Sequence, residues 1–172
     1  RYQLVIADAD GEGARVILES KFPLMSPAWS PDGESLAYVS FETRRAAIYV
    51  QRVRTAERTR VSDRPGVNGA PAWSPDGRKL ALTLSNAAGN LDVHVLDLQT
   101  REYTRVTDDP AIDTEPVWSA DGSTLLFTSD RAGGPQIYRV RLGSGERPQR
   151  LTFAGAYNAR PRLGVDGQTL AF

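Results

Sequence analysis

The sequence contains no cysteine, a single histidine and only two lysines among its 172 residues. Without cysteine the chain can form neither disulfides nor thiolate metal sites, and it has no cysteine nucleophile. One histidine, His94, cannot supply a multi-histidine metal site and leaves almost no material for a Ser-His-Asp triad. His94 lies in an alternating strand pattern, so we expect it to be a packed or edge-exposed strand residue. These absences predict that the protein is not an enzyme.

Net charge and long apolar runs are also missing. The 21 Lys and Arg residues balance the 21 Asp and Glu residues, so no overall field attracts nucleic acid or an anionic membrane. No apolar run approaches the ~20 residues that a membrane-spanning helix needs. Residues 1–4 have no signal-peptide pattern and already belong to an alternating strand. We therefore expect a segment of a longer protein that binds a protein or a neutral ligand.

What the sequence does contain is a repeat of about 45 residues, a period typical of four-stranded propeller blades. It carries Pro-Ala-Trp-Ser-Pro-Asp-Gly at residues 27–33 and 71–77, a close copy at 116–122 and a diverged copy at 161–167. The sequence predicts an all-β fold, a single β-propeller segment over residues 1–172. Its predicted parts are three complete four-stranded blades near 26–62, 70–107 and 115–152, with half-blades at 2–18 and 160–172.

The repeated motif itself has a mechanical interpretation. Ser-Pro-Asp-Gly favours a tight turn, which we place between the first two strands of each blade. The tryptophan before it is predicted to pack between adjacent blades. The recurring aspartates raise the alternatives of a glycosidase or a calcium site. Because all four occupy the same corner of separate blades, the structural interpretation is favoured for Asp32, Asp76, Asp121 and Asp166.

The loops that lead into the innermost strands are the best candidates for a functional surface. In a propeller such loops surround the mouth of the central channel, and here they differ between copies while the scaffold repeats. They are residues 23–26, 66–69, 112–115 and 156–159. The connections between the second and third strands belong to the same face. They contain Phe41, Arg44, Arg45 and Arg131, which either anchor a protein interface or are solvated loop residues.

Several stretches carry a family resemblance. The motif at 27–33 followed by Leu-Ala-Tyr-Val-Ser at 36–40 resembles the WD40-like PD40 repeat. Residues 23–27, 68–71, 114–116, 127–130 and 135–138 narrow the resemblance to the TolB family, the periplasmic propellers of the Tol-Pal system. The resemblance implies a six-bladed propeller, of which this chain holds the middle. It also implies a non-enzymatic periplasmic role in outer-membrane integrity and cell division.

The same resemblance implies partners and sites. TolB-family proteins bind the peptidoglycan-associated lipoprotein Pal at the channel mouth and TolA through an N-terminal region, and colicins use the same propeller face. Val67 stands where some relatives have a histidine. No cofactor is implied; calcium has been associated with the channels of related propellers, but the ligand spacing for it is missing here. Carried over by position, the partner-binding residues are Met25, Ser26, Asn68, Ala70, Thr114 and Glu115.

Two other functions remain open at this point. The propeller of a serine peptidase, which controls substrate access, has similar repeats, but the Gly-x-Ser-x-Gly motif of the hydrolase domain does not occur in these residues. A sugar-active propeller would need carboxylates that converge in the channel.

Overall fold

The computed structural model describes all 172 residues, and its regular structure consists of sixteen strands in five antiparallel sheets. We call the three four-stranded sheets blades 1 to 3 and the two-stranded sheets the N-terminal and C-terminal hairpins. The N-terminal hairpin contains β1 (Tyr2–Ile6) and β2 (Arg15–Ser20), and blade 1 contains β3 (Leu24–Trp29), β4 (Ser35–Ser40), β5 (Ala47–Arg52) and β6 (Arg58–Ser62). Blade 2 contains β7 (Asn68–Trp73), β8 (Lys79–Ser85), β9 (Leu91–Asp97) and β10 (Tyr103–Arg105). Blade 3 contains β11 (Asp113–Trp118), β12 (Thr124–Ser129), β13 (Gln136–Arg141) and β14 (Gln149–Arg150), and the C-terminal hairpin contains β15 (Arg162–Leu163) and β16 (Leu170–Ala171).

Each blade is a meander in which consecutive strands are hydrogen-bonded neighbours. The first strand of a blade is the innermost one, and the fourth strand forms the outer edge. The register is the same from blade to blade: Tyr38 of β4 pairs with Tyr49 of β5, and Phe127 of β12 pairs with Tyr138 of β13. The predicted fold class, a propeller segment of three complete blades and two half-blades, is confirmed.

The Ser-Pro-Asp-Gly corner forms the turn between the first two strands, as its residues predict. In blade 1 the Asp32 carboxylate accepts hydrogen bonds from Ser30 Oγ at 2.5 Å and from the Glu34 amide at 2.9 Å. Gly33 has a φ of 71°, which favours glycine. In blade 3 the equivalent bonds, first of all the one from the Ser119 hydroxyl, lower the pKa of Asp121 to about 2. The aspartates therefore stabilise the corners, in agreement with the structural interpretation.

The hydrophobic core lies between the blades. Between blades 1 and 2, for example, Val39 and Ile48 pack against Leu80, Leu82 and Leu84. A second cluster joins blades 2 and 3, and a third joins the N-terminal hairpin to blade 1. Because the central strands have neighbours on both faces, β4 and β12 are almost continuously buried instead of alternating between buried and exposed residues.

Trp73 and Trp118 connect the innermost strands of adjacent blades, which confirms the predicted packing for these two of the three tryptophans. The indole Nε1 of Trp73 donates to the carbonyl oxygen of Ala28 at 3.0 Å, and that of Trp118 donates to Ala72 at 3.0 Å. Trp118 is 8% exposed, whereas Trp29, which has no innermost strand before it in this chain, is 49% exposed. The indoles of Trp73 and Trp118 thus combine apolar contact with one directional hydrogen bond across a blade interface.

This arrangement predicts that Trp118→Phe destabilises the protein more than Trp29→Phe. The first change removes a hydrogen bond across blades and part of a buried ring, so the free energy of unfolding should fall by about 2 kcal/mol. The second change affects a half-exposed ring without such a bond and should cost less than half as much. Urea unfolding of both variants measures the difference, and equal losses would contradict the proposed role of the indole bond.

Candidate functional site: the channel mouth

The innermost strand of every blade contains a β-bulge at the same position. The pairing register shifts between Met25 and Ala28 in β3, and shifts in the same way in β7 and β11. In each case the bulge ends in a proline, which has no N–H group to donate to the ladder. The residue before that proline has a positive φ: 51° at Ser26, 45° at Ala70 and 56° at Glu115. Arg160, at the equivalent position before Pro161 in the fourth copy, has a φ of 58°. We call these four the bulge residues.

The left-handed conformation of the bulge residues is unusual, because none of them is glycine. A non-glycine residue in this region costs roughly 1–2 kcal/mol, and such strain is concentrated at functional sites. Four of the seven non-glycine residues with positive φ are bulge residues. They line one concave wall, formed by the innermost strands, that encloses about 830 Å³. The strain therefore recurs at one level of the channel, next to the loops that form its mouth.

The structure brings most of the candidate partner-binding residues to this wall. Met25, Ser26, Ala70 and Glu115 line it directly. Met25 is 53% exposed although it is apolar, and Thr114 precedes Glu115 in the same strand. A role for these residues in partner binding stays a prediction.

Asn68 is placed differently from the other candidates because its side chain is buried. Its Oδ1 accepts hydrogen bonds from Ser62 Oγ at 2.6 Å and from the Arg64 amide at 3.1 Å, and its Nδ2 donates to the Arg64 carbonyl at 2.7 Å. The amide group therefore holds the loop that enters β7. The equivalent positions in the next two repeats, Asp113 and Asn158, are also buried.

Asp113 is held by Arg131, which changes the interpretation of the loop arginines. Arg131 Nη2 donates to both carboxylate oxygens at 2.9 and 2.8 Å, and its Nε donates to Ser129 Oγ at 2.8 Å. Its guanidinium also lies over the Tyr138 ring, 4.9 Å from the centroid. Arg131 is therefore part of the scaffold, and Phe41 packs against the core between blades 1 and 2. The hypothesis that both are exposed interface anchors is wrong; Arg44 and Arg45 are exposed.

Glu115 belongs to a polar cluster that sequence reasoning did not find. Arg160 Nε donates to its Oε1 at 2.9 Å, and Thr128 Oγ1 donates to its Oε2 at 3.4 Å. Glu115 and Arg160 are bulge residues of consecutive repeats, 45 positions apart, so this ion pair crosses a blade interface. Their opposite charges at equivalent repeat positions are a signal that an alignment of the repeats could have shown.

Exposed apolar residues recur at the same position of three successive repeats. Val67 and Ile112 come directly before the buried polar residues that start β7 and β11, and Tyr157 comes directly before Asn158 at the equivalent position of the fourth repeat. All three are exposed. Their recurrence in three successive loops of the mouth is typical of a surface that contacts another protein. Of these three residues, only Val67 was considered individually from the sequence, as the position where some relatives have a histidine.

His94 lies away from the mouth loops, in the middle of β9. It pairs with Leu82, so it occupies the position that Tyr49 and Tyr138 occupy in the other blades. Burial lowers the pKa of the imidazole, and the charges of Arg64 and Arg105 lower it further against the opposing effect of Asp92. The structure brings no three His, Cys, Asp or Glu residues together in an arrangement that could hold a metal ion. It also contains no helix long and apolar enough to cross a bilayer.

The repeated blades and the strained channel mouth define a β-propeller whose variable surface is displayed by its innermost strands. The family described as the TolB beta propeller domain matches residues 1–172. The chain therefore belongs to the TolB β-propeller family.

Individual relatives agree with this assignment. The chain is 60% identical over 70 residues to the Tol-Pal system protein TolB of Methylococcus capsulatus, a match that covers 41% of this chain and 16% of the relative. It is similar to the crystal structure of TolB from Acinetobacter baumannii, with 48% identity and a TM-score of 0.94 over 99% of this chain and 42% of the other. The chain thus spans less than half the length of these relatives.

More distant structures share the fold alone. A prolyl endopeptidase chain matches 90% of this chain and 26% of its own length with a TM-score of 0.65, but with 20% identity. At this identity the likeness says nothing about activity, so it gives the peptidase alternative no support beyond the propeller architecture.

The Arg131–Asp113 pair predicts that a substitution of Asp113 restores the stability lost by a substitution of Arg131. Arg131→Gln would leave a fully buried carboxylate without its cation, and the free energy of unfolding should fall by about 3 kcal/mol. Adding Asp113→Asn should restore most of that loss, because asparagine occupies the equivalent positions 68 and 158. Urea unfolding is the measurement, with the exposed Arg45→Gln as the control. A double variant as unstable as Arg131→Gln would show that the pair is not the cause.

His94 predicts a dependence of stability on pH. Because its pKa in the folded state lies below the ordinary value of 6.5, the unfolded chain binds more protons. The free energy of unfolding should therefore decrease as the pH falls below about 6.5. His94→Tyr, which introduces the residue of the other two blades, should flatten this part of the profile. Urea midpoints between pH 7.5 and 5.5 test this, and parallel profiles for the two proteins would refute it.

Proposed function

We propose that this chain is a non-enzymatic protein-binding segment of the Tol-Pal system and that its channel mouth binds the lipoprotein Pal. The observation that carries the proposal is the strained wall of bulge residues, bordered by exposed apolar side chains, in a member of the TolB family. Relatives named Tol-Pal system protein TolB support the system to which the proposal assigns it.

The chemistry of the mouth suits a protein partner. Met25, Val67, Ile112 and Tyr157 offer separate exposed apolar groups, and the Glu115–Arg160 pair adds a polar contact between them. Apolar and aromatic residues with a few ordered charges are typical of the centre of a protein interface. The balanced charge of the chain gives no comparable reason to propose a nucleic acid.

The wider role follows from this assignment and is part of the proposal. The protein would act in the periplasm, where binding of Pal contributes to outer-membrane integrity and cell division. TolA would be engaged through a region outside these 172 residues, and colicins would use the same face of the propeller. A gating propeller of a peptidase is the weaker candidate, because its support is a fold shared at 20% identity.

Met25→Arg tests the proposed interface. Met25 is an exposed apolar residue of the channel wall, so a long charged side chain there should disturb apolar contacts without unfolding the protein. We expect the affinity for purified Pal to fall at least about tenfold, which corresponds to about 1.4 kcal/mol. Titration calorimetry on the natural full-length protein is the measurement.

A matched control is available on the outer edge of the same blade. Thr59 is exposed on β6, far from the innermost strand, and Thr59→Arg adds the same side chain there. This control should bind Pal with the affinity of the wild type. Unchanged affinity for Met25→Arg, or an equal loss for both variants, would argue against binding at the mouth.

A further inference from the structure

Two buried threonines form hydrogen bonds from one blade to the bulge residue of the next. Thr83 of β8 accepts a hydrogen bond from the amide of Glu115 at 3.2 Å. Thr128 of β12 accepts one from the amide of Arg160 at 3.1 Å. The two threonines occupy equivalent positions, since Thr83 pairs with Gly69 and Thr128 pairs with Thr114 in the innermost strands of their own blades. Both are at most 5% exposed.

These bonds join into one polar chain across successive blades. The Thr83 hydroxyl lies 3.2 Å from the Thr114 hydroxyl, in addition to its bond with the Glu115 amide. The Glu115 carboxylate is then contacted by Thr128 Oγ1 and by Arg160 Nε, and Thr128 also binds the Arg160 amide. The backbone amides of Glu115 and Arg160 are therefore held by the preceding blade, whereas the Glu115 side chain is held by Thr128 of its own blade and by Arg160 of the following repeat.

The third equivalent position provides an internal comparison. In blade 1 the residue that pairs with the innermost strand at this level is Val39, opposite Met25. Valine has no hydroxyl, so the amide of the bulge residue Ala70 has no such oxygen to which it can donate the same hydrogen bond. The fold accepts valine at this site without losing the blade, which means that the threonines are not needed simply to fill the space.

We propose that Thr83 and Thr128 are positioning residues that fix Glu115 and Arg160 relative to the preceding blade and so set the shape of the partner-binding mouth. This inference rests on the proposed binding of Pal. A partner that touches several blades depends on the relative placement of residues from different sheets, and binding is tighter when that placement exists before contact.

The test compares Thr83→Val and Thr128→Val with the corresponding serine variants in the natural full-length protein. Each valine variant should bind purified Pal about fivefold more weakly, the effect of one lost hydrogen bond. Serine retains the hydroxyl, so Thr83→Ser and Thr128→Ser should bind as the wild type does. Thr59→Val, on the exposed outer edge of blade 1, is the control for loss of a hydroxyl elsewhere.

A second measurement does not depend on the partner. Hydrogen exchange of the Glu115 amide should become faster in Thr83→Val and stay slow in Thr83→Ser, and the Arg160 amide should respond in the same way to changes at Thr128. Equal weakening of Pal binding by valine and serine, unchanged binding by the valine variants, or unchanged amide exchange would each overturn the positioning role. Failure of the wild type to bind Pal would overturn the proposed function separately, since the exchange results stand without it.

Discussion

The contact between one blade and the next is the interaction on which the rest of this structure depends. A four-stranded sheet of this kind cannot bury both of its apolar faces alone, and stacked repeats solve the problem by covering each other. Here the central strands supply leucine, isoleucine and valine to the interface, and the indoles of Trp73 and Trp118 add a bond to the backbone of the preceding blade. The angle and height of each innermost strand relative to its neighbour follow from these contacts.

Buried polar groups at the starts of the innermost strands add a second constraint, which acts mainly on the loops. Asn68 holds its loop by hydrogen bonds to the backbone of Arg64. At the equivalent position, Asp113 is held by hydrogen bonds from Arg131. A buried carboxylate is costly unless its cation stays in place, so this pair ties the second-to-third-strand connection of blade 3 to the start of its innermost strand. The loops that lead to the variable mouth are therefore held in place in both repeats. An asparagine bound to the backbone holds one loop, and an Asp–Arg ion pair holds the other.

The sequence allowed the blades, the corners and the tryptophan packing to be predicted, because each depends on residues that recur every 44 or 45 positions. The mouth was predicted less completely. The sequence suggests that Arg131 is an exposed loop charge, but the structure pairs it with the buried Asp113. The sequence likewise suggests that Asn68 is a surface loop residue, but its side chain is buried. Thr83, Thr128 and Arg160 act across a blade interface, and no local pattern marks a strand threonine whose acceptor oxygen faces another repeat. The contacts of the two threonines depend on how the blades stack.

Each innermost strand has one end at the mouth and the other beside the corner turn. This arrangement explains how one scaffold can carry a variable surface. In β3, Met25 and Ser26 lie at the mouth end, and Trp29 lies at the other end beside the corner turn. At about 3.3 Å per residue, the backbone positions of Ser26 and Trp29 are roughly 10 Å apart along the strand. The bulge takes its residues out of the ladder, so their side chains contribute little to the pairing that holds the blade. Ser26, Ala70, Glu115 and Arg160 can therefore differ in size and charge while Trp73 and Trp118, at the other end of β7 and β11, keep the blades together.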